Sequence, residues 1–210
     1  MAETTVVHLL RHGEVHNPNG VLYGRLPGYH LSANGRMMAD AAADFFVERP
    51  VAAVFASPLE RAQETAQPVA ERLGLEIITN DQLIESANVL EGKTVTLAQL
   101  ALNPVNWRYL WNPFTPSWGE PYQQVADRVW RVVERARDAA RGHEAVCVSH
   151  QLPIWISRLA AEHKRLWHNP KSRECALGSV TSFTFTGDEL AGVSYTVPAR
   201  RPVREEDAAQ

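Results

Sequence analysis

The sequence contains few of the features that mark secreted, membrane-spanning or disulfide-bonded proteins. It has two cysteines in 210 residues, Cys147 and Cys175, which lie far apart and suit reduced thiols better than a disulfide framework. No apolar run approaches the roughly 20 residues that a membrane-spanning helix needs. The N-terminus lacks the basic and apolar regions of a secretory signal, so we expect a cytoplasmic protein with no membrane partner.

Neither sign of charge is in large excess. The net charge is −3, with 21% charged and 45% hydrophobic residues, which is ordinary for a globular domain. This balance argues against a general affinity for nucleic acids, so an anionic ligand would need a local positive pocket. None of the eight histidines has a convincing metal-ligand spacing, and the sequence predicts no metal or cofactor.

A short apolar run near the N-terminus ends abruptly in polar residues. Residues 6–10 have the length of a buried strand, and Arg11, His12, Gly13 and Glu14 follow directly. The carboxyl ends of parallel strands are where open sheets bind ligands. A guanidinium there can clamp two oxygens of an anion, while an imidazole close to cations is biased toward its neutral, nucleophilic form. For an isolated Arg-His pair, a structural role is the better interpretation.

A second apolar segment is also followed by polar residues. Residues 51–56 predict a strand, followed by a helix with Ser57 as its N-cap and Pro58 as its first residue. That helix carries Arg61 in its first turn. Pro68 falls within it and predicts a kink or a break in its second half.

Two further segments contribute a histidine and a carboxylate. Residues 145–148 predict a strand that ends just before His150, and Glu85 follows a short strand predicted over residues 75–78. If the strands are parallel, their ends meet at one edge of the sheet. Two arginines, two histidines and a carboxylate in one pocket would suit phosphate chemistry.

The remaining pattern alternates helices with strands. This alternation predicts an α/β fold, a three-layer α/β/α sandwich with a mostly parallel central sheet, in a single domain over residues 1–197. Residues 83–121 are aromatic and rich in proline, and they predict either a cap-like insertion or a satellite hydrophobic cluster. Residues 198–210 are predicted to be disordered. The other predicted elements are a helix capped by Ser32, helices over 122–141 and 152–161, and a terminal hairpin of 180–185 with 190–197.

Five stretches of the chain resemble the histidine phosphatase superfamily, which includes the cofactor-dependent phosphoglycerate mutases. They occur in the family's order and span most of the chain, and the resemblance implies a phosphoglycerate mutase-like fold. The matching stretches are LRHGE at 10–14, LSANGR at 31–36, SPLERAQETA at 57–66, LIE at 83–85 and VSH at 148–150.

The resemblance also implies a role for each polar residue at the strand ends. His12 would be the nucleophile and become a phosphohistidine, while Arg11, Arg61 and a protonated His150 would hold the phosphoryl oxygens. Glu85 would protonate the leaving oxygen and then deprotonate the attacking water. No metal is needed, because these cationic groups can supply the charge that Mg²⁺ supplies elsewhere.

Further residues match positions near phosphate or substrate in the family. Asn17 matches a phosphate-binding position, and Tyr23 and Gly24 match positions that touch substrate. Gln151 stands where the family commonly has glycine, which places a polar side chain at the lip of the pocket. Glu14 is interpreted as orienting its neighbours.

The leading functional hypothesis is a metal-independent phosphomonoesterase that hydrolyses a small phosphorylated metabolite. A mutase would need additional cationic residues in its cap, and residues 85–121 offer only Lys93 and Arg108, which favours the hydrolase. A non-catalytic module that binds a phosphorylated partner is the third hypothesis. A homodimer is compatible with the sequence.

Overall fold

A six-stranded mixed sheet forms the centre of the computed structural model, which describes residues 3–89, 91–94 and 119–198. The strands stand in the order β3-β2-β4-β1-β5-β6. The first four in this order are mutually parallel, whereas β5 and β6 add an antiparallel hairpin at one side. The prediction of an α/β fold with a mostly parallel sheet is confirmed. In chain order the strands are β1 (Thr4–Arg11), β2 (Val51–Ala56), β3 (Ile77–Thr79), β4 (Glu144–Ser149), β5 (Val180–Thr186) and β6 (Glu189–Thr196).

Four α-helices flank the sheet in the part of the chain that the structure describes. Ser32 caps the first of them by accepting a hydrogen bond from the backbone N–H of Gly35, as its position before the helix predicts. Short 3-10 helices cover Asp81–Leu83 and Pro170–Ser172. No helix among the described residues is long and apolar enough to cross a membrane. The α-helices are α1 (Ala33–Phe46), α2 (Glu60–Leu73), α3 (Tyr122–Ala139) and α4 (Gln151–Ala161).

The apolar residues of the central strands divide between two cores, because successive side chains of a strand point to opposite faces. On β1, Val7 and Leu9 pack with α3, while Leu10 packs with α1 and α2 on the other face. Both faces are therefore covered, which explains why the central strands are nearly continuous apolar runs in the sequence.

The helix that carries Arg61 differs from its prediction in two ways. It begins at Glu60 with Leu59 as its N-cap, because Ser57 continues the strand end and donates its N–H to the Val148 carbonyl. It also runs unbroken through Pro68 to Leu73. The missing proline N–H costs one helical hydrogen bond, but the buried apolar face of α2 holds the helix together.

Parts of the predicted cap and tail lie outside the described residues. These are residues 95–118, with the short helical pattern of 97–102, the aromatic cluster of 107–111 and Arg108, and residues 199–210. The cap and the disordered tail therefore stay predictions. The two ends of the insertion meet, since Asn88 and Gly119 form an isolated β-bridge.

Candidate active site

Three parallel strands bring the predicted site residues to one edge of the sheet. Arg11 ends β1, and His12 follows it and donates its N–H to the Ser149 carbonyl at the end of the neighbouring β4. His150 comes next along the chain. The ring centroids of His12 and His150 lie 5.1 Å apart. The adjacency of β1 and β4 thus unites two histidines that are 138 residues apart in the sequence.

The turn after His12 is held by a close approach between two backbones. A Cβ atom on Gly13 would lie 2.4 Å from the Gly35 carbonyl oxygen, and one on Gly35 would lie 2.0 Å from the Glu14 carbonyl oxygen. The Glu14 carboxylate accepts hydrogen bonds from the Ser32 hydroxyl at 2.5 Å and from the Asn34 amide at 2.9 Å. These contacts fix the turn against the start of α1 and are compatible with the orienting role expected of Glu14.

His12 has the environment of a neutral nucleophile. Its side chain is buried, and its Nδ1 lies 2.8 Å from the Gly13 carbonyl oxygen. Because a carbonyl can only accept, Nδ1 carries the ring proton and Nε2 keeps its lone pair. Burial, Arg61 and Arg11 lower the pKa of His12 to about 3, and the Gly13 carbonyl opposes this only in part. The imidazole is therefore uncharged at neutral pH, as nucleophilic attack requires.

The environment of His150 also disfavours the protonated ring, and its protonation around a bound phosphoryl group stays a prediction. Burial, His12 and three arginines lower the pKa of His150 well below its usual value. Its Nε2 lies 2.7 Å from the Ser57 hydroxyl, and its buried Nδ1 has no partner among the described residues. Sequence alone cannot reveal this charge state, because it depends on how completely the fold removes the ring from water. A phosphoryl dianion beside it would raise the pKa again.

Both arginines are oriented by uncharged acceptors. An Nη of Arg11 donates to the Cys175 carbonyl at 2.6 Å, and an Nη of Arg61 donates to the Gly24 carbonyl at 2.6 Å. The Nε atoms of both, and the second Nη of Arg61, are buried without a partner among the described residues. Carbonyl oxygens fix the two guanidinium groups but leave their positive charge available to an anion.

The burial of Glu85 favours the protonated form of its carboxyl group. Burial raises its pKa, against the opposing effects of the Ser86 N–H and the nearby arginines. The Ser86 N–H donates to Oε1 of Glu85 at 2.9 Å. A carboxyl group whose pKa is raised by burial serves as a general acid near neutral pH.

A cavity of about 280 Å³ adjoins these groups, and its size suits a small ligand. Arg61 and His150 do not line it directly. They lie behind its wall, where the Arg61 guanidinium carbon is 4.8 Å from the Tyr23 ring centroid. Of the other predicted residues, Arg11, His12, Tyr23, Gly24, Glu85 and Gln151 line the cavity.

Asn17 lies outside the cavity wall. Its amide Nδ2 donates to the Val21 carbonyl at 2.8 Å, and its Oδ1 accepts from the Val21 N–H at 3.0 Å. Val21 does line the cavity. In this structure Asn17 therefore shapes the loop over the site, and its contact with phosphate stays a prediction.

The sequence reasoning missed several charged residues of the site. Arg173 lines the cavity, and so does Glu120, which forms ion pairs with Arg25 at 2.9 Å and Arg128 at 2.8 Å. Arg128 was hidden within an ordinary amphipathic helix. Arg173 lies in an irregular loop with no periodic pattern or motif that would have singled it out.

Comparison with known proteins agrees with this geometry. The chain is 56% identical over 200 residues to "Uncharacterized protein Rv0525" of Mycobacterium tuberculosis, covering 95% of this chain and 99% of that one. It is 30% identical over 154 residues to "Probable phosphoglycerate mutase GpmB" of Escherichia coli, covering 70% of each. The structure of mycobacterial glucosyl-3-phosphoglycerate phosphatase Rv2419c is similar, with a TM-score of 0.74, 25% identity, and 92% of this chain and 98% of that chain covered.

The family assignment follows from the match over nearly the whole chain. Residues 7–197 match the histidine phosphatase superfamily, branch 1. This range includes the nucleophile candidate His12, the acid candidate Glu85 and the second histidine, His150. The comparisons support a phosphatase enzyme, and the chain belongs to the histidine phosphatase superfamily.

Proposed function

We propose that the protein is a metal-independent phosphomonoesterase that hydrolyses a small phosphorylated metabolite through a phosphohistidine at His12. The observation that carries this proposal is a buried, neutral imidazole with a free Nε2 beside two arginines whose buried donors have no partner among the described residues. Such donors bind the oxygens of an anion and stabilise the charge of the transferring phosphoryl group. The size of the cavity favours a small ester.

In the first half-reaction, the lone pair on Nε2 of His12 attacks phosphorus and forms a P–N bond. The bond from phosphorus to the ester oxygen breaks, and its electron pair leaves with that oxygen. The proton of Glu85 then passes to the leaving oxygen, so the alcohol departs uncharged. Arg11, Arg61 and His150 hold the remaining phosphoryl oxygens.

In the second half-reaction, the Glu85 carboxylate takes a proton from a water molecule as the water oxygen attacks phosphorus. The P–N bond breaks, and its electron pair returns to Nε2 of His12. Inorganic phosphate leaves, and Glu85 is again protonated. Both half-reactions therefore regenerate the starting enzyme without a metal or a redox partner.

The proposal is tested with 4-nitrophenyl phosphate in the presence of EDTA, using the wild type and His12→Ala, followed by a panel of metabolite phosphates. Turnover that survives EDTA and disappears in the variant supports the phosphohistidine route. Absence of turnover of every ester by the wild type contradicts the hydrolase and leaves the binding-module hypothesis. The match to a protein named as a probable phosphoglycerate mutase favours mutase activity as the second candidate. It predicts isomerisation of a phosphoglycerate without release of inorganic phosphate.

A further inference from the structure

Glu85, the candidate acid, lies in irregular backbone that follows the 3-10 helix Asp81–Leu83. We call residues 82–87 the acid segment. Glu85 itself belongs to neither a helix nor a strand, so a regular ladder of backbone hydrogen bonds does not hold it in place. The position of its carboxyl group therefore depends on the groups that bind the carbonyl oxygens of the acid segment.

Two arginines from distant parts of the chain bind these carbonyl oxygens. Nε of Arg25 donates to the Glu85 carbonyl at 2.6 Å, and an Nη of Arg128 donates to the Gln82 carbonyl. Arg25 lies in the loop between β1 and α1, whereas Arg128 lies on α3. The acid segment is thus held at two carbonyl groups that are three residues apart.

One carboxylate joins the two arginines. Oε2 of Glu120 accepts from an Nη of Arg25 at 2.9 Å, and both of its oxygens accept from Arg128, at 2.8 and 3.1 Å. The Glu120 N–H also donates to the Ala87 carbonyl at 3.2 Å. Glu120 therefore contacts the acid segment directly through its backbone and indirectly through both arginines.

These three charged side chains are largely shielded from water. Glu120 and Arg128 are 15% and 10% exposed, and Arg25 is 34% exposed. Without the carboxylate, two partly buried guanidinium groups would repel each other at the acid segment. Both Glu120 oxygens are engaged as acceptors, so Glu120 orients the arginines and does not compete with Glu85 as the acid.

We propose that Glu120 is a positioning residue for Glu85, and that it holds the acid segment through Arg25 and Arg128 so that the Glu85 carboxyl group stays aligned with the leaving oxygen. This inference rests on the proposed function, which assigns proton transfer to Glu85. The donor must lie within hydrogen-bond reach of the leaving oxygen, and a displacement of about 1 Å can cost about 100-fold in rate. A loss of alignment should therefore act on the chemical step more than on substrate binding.

The ester test uses 4-nitrophenyl phosphate and phenyl phosphate, which are similar in size and differ in how readily the leaving group departs without a proton. We expect Glu120→Gln to lower kcat on phenyl phosphate by about 10-fold or more, and kcat on 4-nitrophenyl phosphate by less than about 3-fold. KM should change little on either ester. Glu120→Asp keeps the negative charge and should recover part of the loss.

Arg25→Met provides a milder change, because it leaves the ion pair between Glu120 and Arg128 in place. It keeps an unbranched side chain but removes the donor to the Glu85 carbonyl. The loss in kcat should again be larger on phenyl phosphate than on 4-nitrophenyl phosphate.

A double variant and a matched control separate positioning from general stabilisation. On phenyl phosphate, Glu85→Gln with Glu120→Gln should match Glu85→Gln alone within about 2-fold, because no acid is left to position. Glu162→Gln is the control, since Glu162 also pairs with two cations, Arg158 at 3.1 Å and Lys164 at 2.6 Å, but does not line the cavity. Its kcat on both esters should equal that of the wild type.

Three results of the ester test would overturn the inference. Equal losses on the two esters in Glu120→Gln would assign Glu120 a general structural role. An unchanged kcat on phenyl phosphate would show that Glu85 keeps its position without Glu120. Additive losses in the double variant would show that Glu120 acts independently of Glu85.

Hydrogen exchange measured by mass spectrometry tests the placement of Glu85 in the same variants without turnover. The Ser86 N–H donates to Oε1 of Glu85 at 2.9 Å, so its exchange reports whether the carboxyl group stays in place. We expect the acid segment to exchange about five-fold faster or more in Glu120→Gln, with β4 unchanged. If the wild type hydrolyses no ester, the proposed function fails, and this measurement alone decides the inference. Unchanged exchange in the acid segment, or faster exchange throughout the chain, would overturn it.

Discussion

The imidazole rings of His12 and His150 lie against each other, with centroids 5.1 Å apart and planes inclined by 57°. Burial together with Arg61 and Arg11 lowers the pKa of both rings. The site therefore disfavours protonation of either ring. Binding of a phosphoryl dianion should draw a proton onto His150, because an adjacent negative charge favours the protonated ring.

This arrangement makes stability depend on pH in a defined direction. In the unfolded chain a histidine takes up a proton near pH 6.5, whereas folded His12 does so only near pH 3. Between these values the unfolded state binds more protons, so the free energy of unfolding falls as the pH falls, by about 1.4 kcal/mol per pH unit for this residue. Urea unfolding of wild type and His12→Asn between pH 7 and pH 4.5 measures the slope. It should be shallower in the variant, and equal slopes would contradict the prediction.

Replacement of His12 by alanine should abolish turnover. The substitution removes the atom that forms the P–N bond, and we expect kcat to fall by at least about 1,000-fold on every ester. Rapid acid-free quenching with a ³²P-labelled ester should trap label on the wild type and not on the variant. His16→Ala is the control, because His16 is an exposed residue on the following loop. Equal labelling of both variants would refute the assignment.

Replacement of Glu85 by glutamine should lower kcat most on esters whose leaving group needs a proton. Burial raises the pKa of Glu85. The protonated carboxyl is the active form of the acid, so kcat should fall when the pH rises through that pKa. We expect Glu85→Gln to lower kcat on an alkyl phosphate by about 100-fold or more. Loss on 4-nitrophenyl phosphate should be much smaller, because nitrophenolate leaves readily without a proton. The pH–rate profile of the wild type on the alkyl ester should fall on its basic side, and the variant should lack this limb. Equal losses on both esters would argue against an acid role.

Replacement of Gly13 by alanine should damage both stability and activity. The added Cβ would lie 2.4 Å from the Gly35 carbonyl oxygen, so the catalytic turn or the start of α1 must move. We expect a loss of about 1–3 kcal/mol in the free energy of unfolding, measured with urea, and a fall in kcat. Gly192→Ala provides the control, because nothing lies within 4 Å of a Cβ added there. If the Gly13→Ala protein is as stable as the control, the backbone can move away from the added Cβ at no cost in stability, and the prediction is wrong.

The sequence predicted those features that are encoded locally. The apolar run of β1, the Ser32 cap and the early position of Arg61 in α2 each follow from neighbouring residues, and each is present in the structure. Arg173 was not predictable, because its approach to the cavity depends on how the loop after α4 folds over Tyr122. The lowered pKa of His150 was not predictable for a related reason, since only the completed fold determines how much water reaches the ring.

The carbonyl oxygens of Cys175 and Gly24 accept hydrogen bonds from Arg11 and Arg61, and these bonds bear on the release of the product. Because backbone acceptors hold the two guanidinium groups whether or not an ester is bound, the donors do not disperse when the alcohol departs. Inorganic phosphate then faces the same preorganised donors as the substrate did. On the proposed mechanism we therefore expect phosphate to inhibit as a product, and its release to limit the rate on reactive esters.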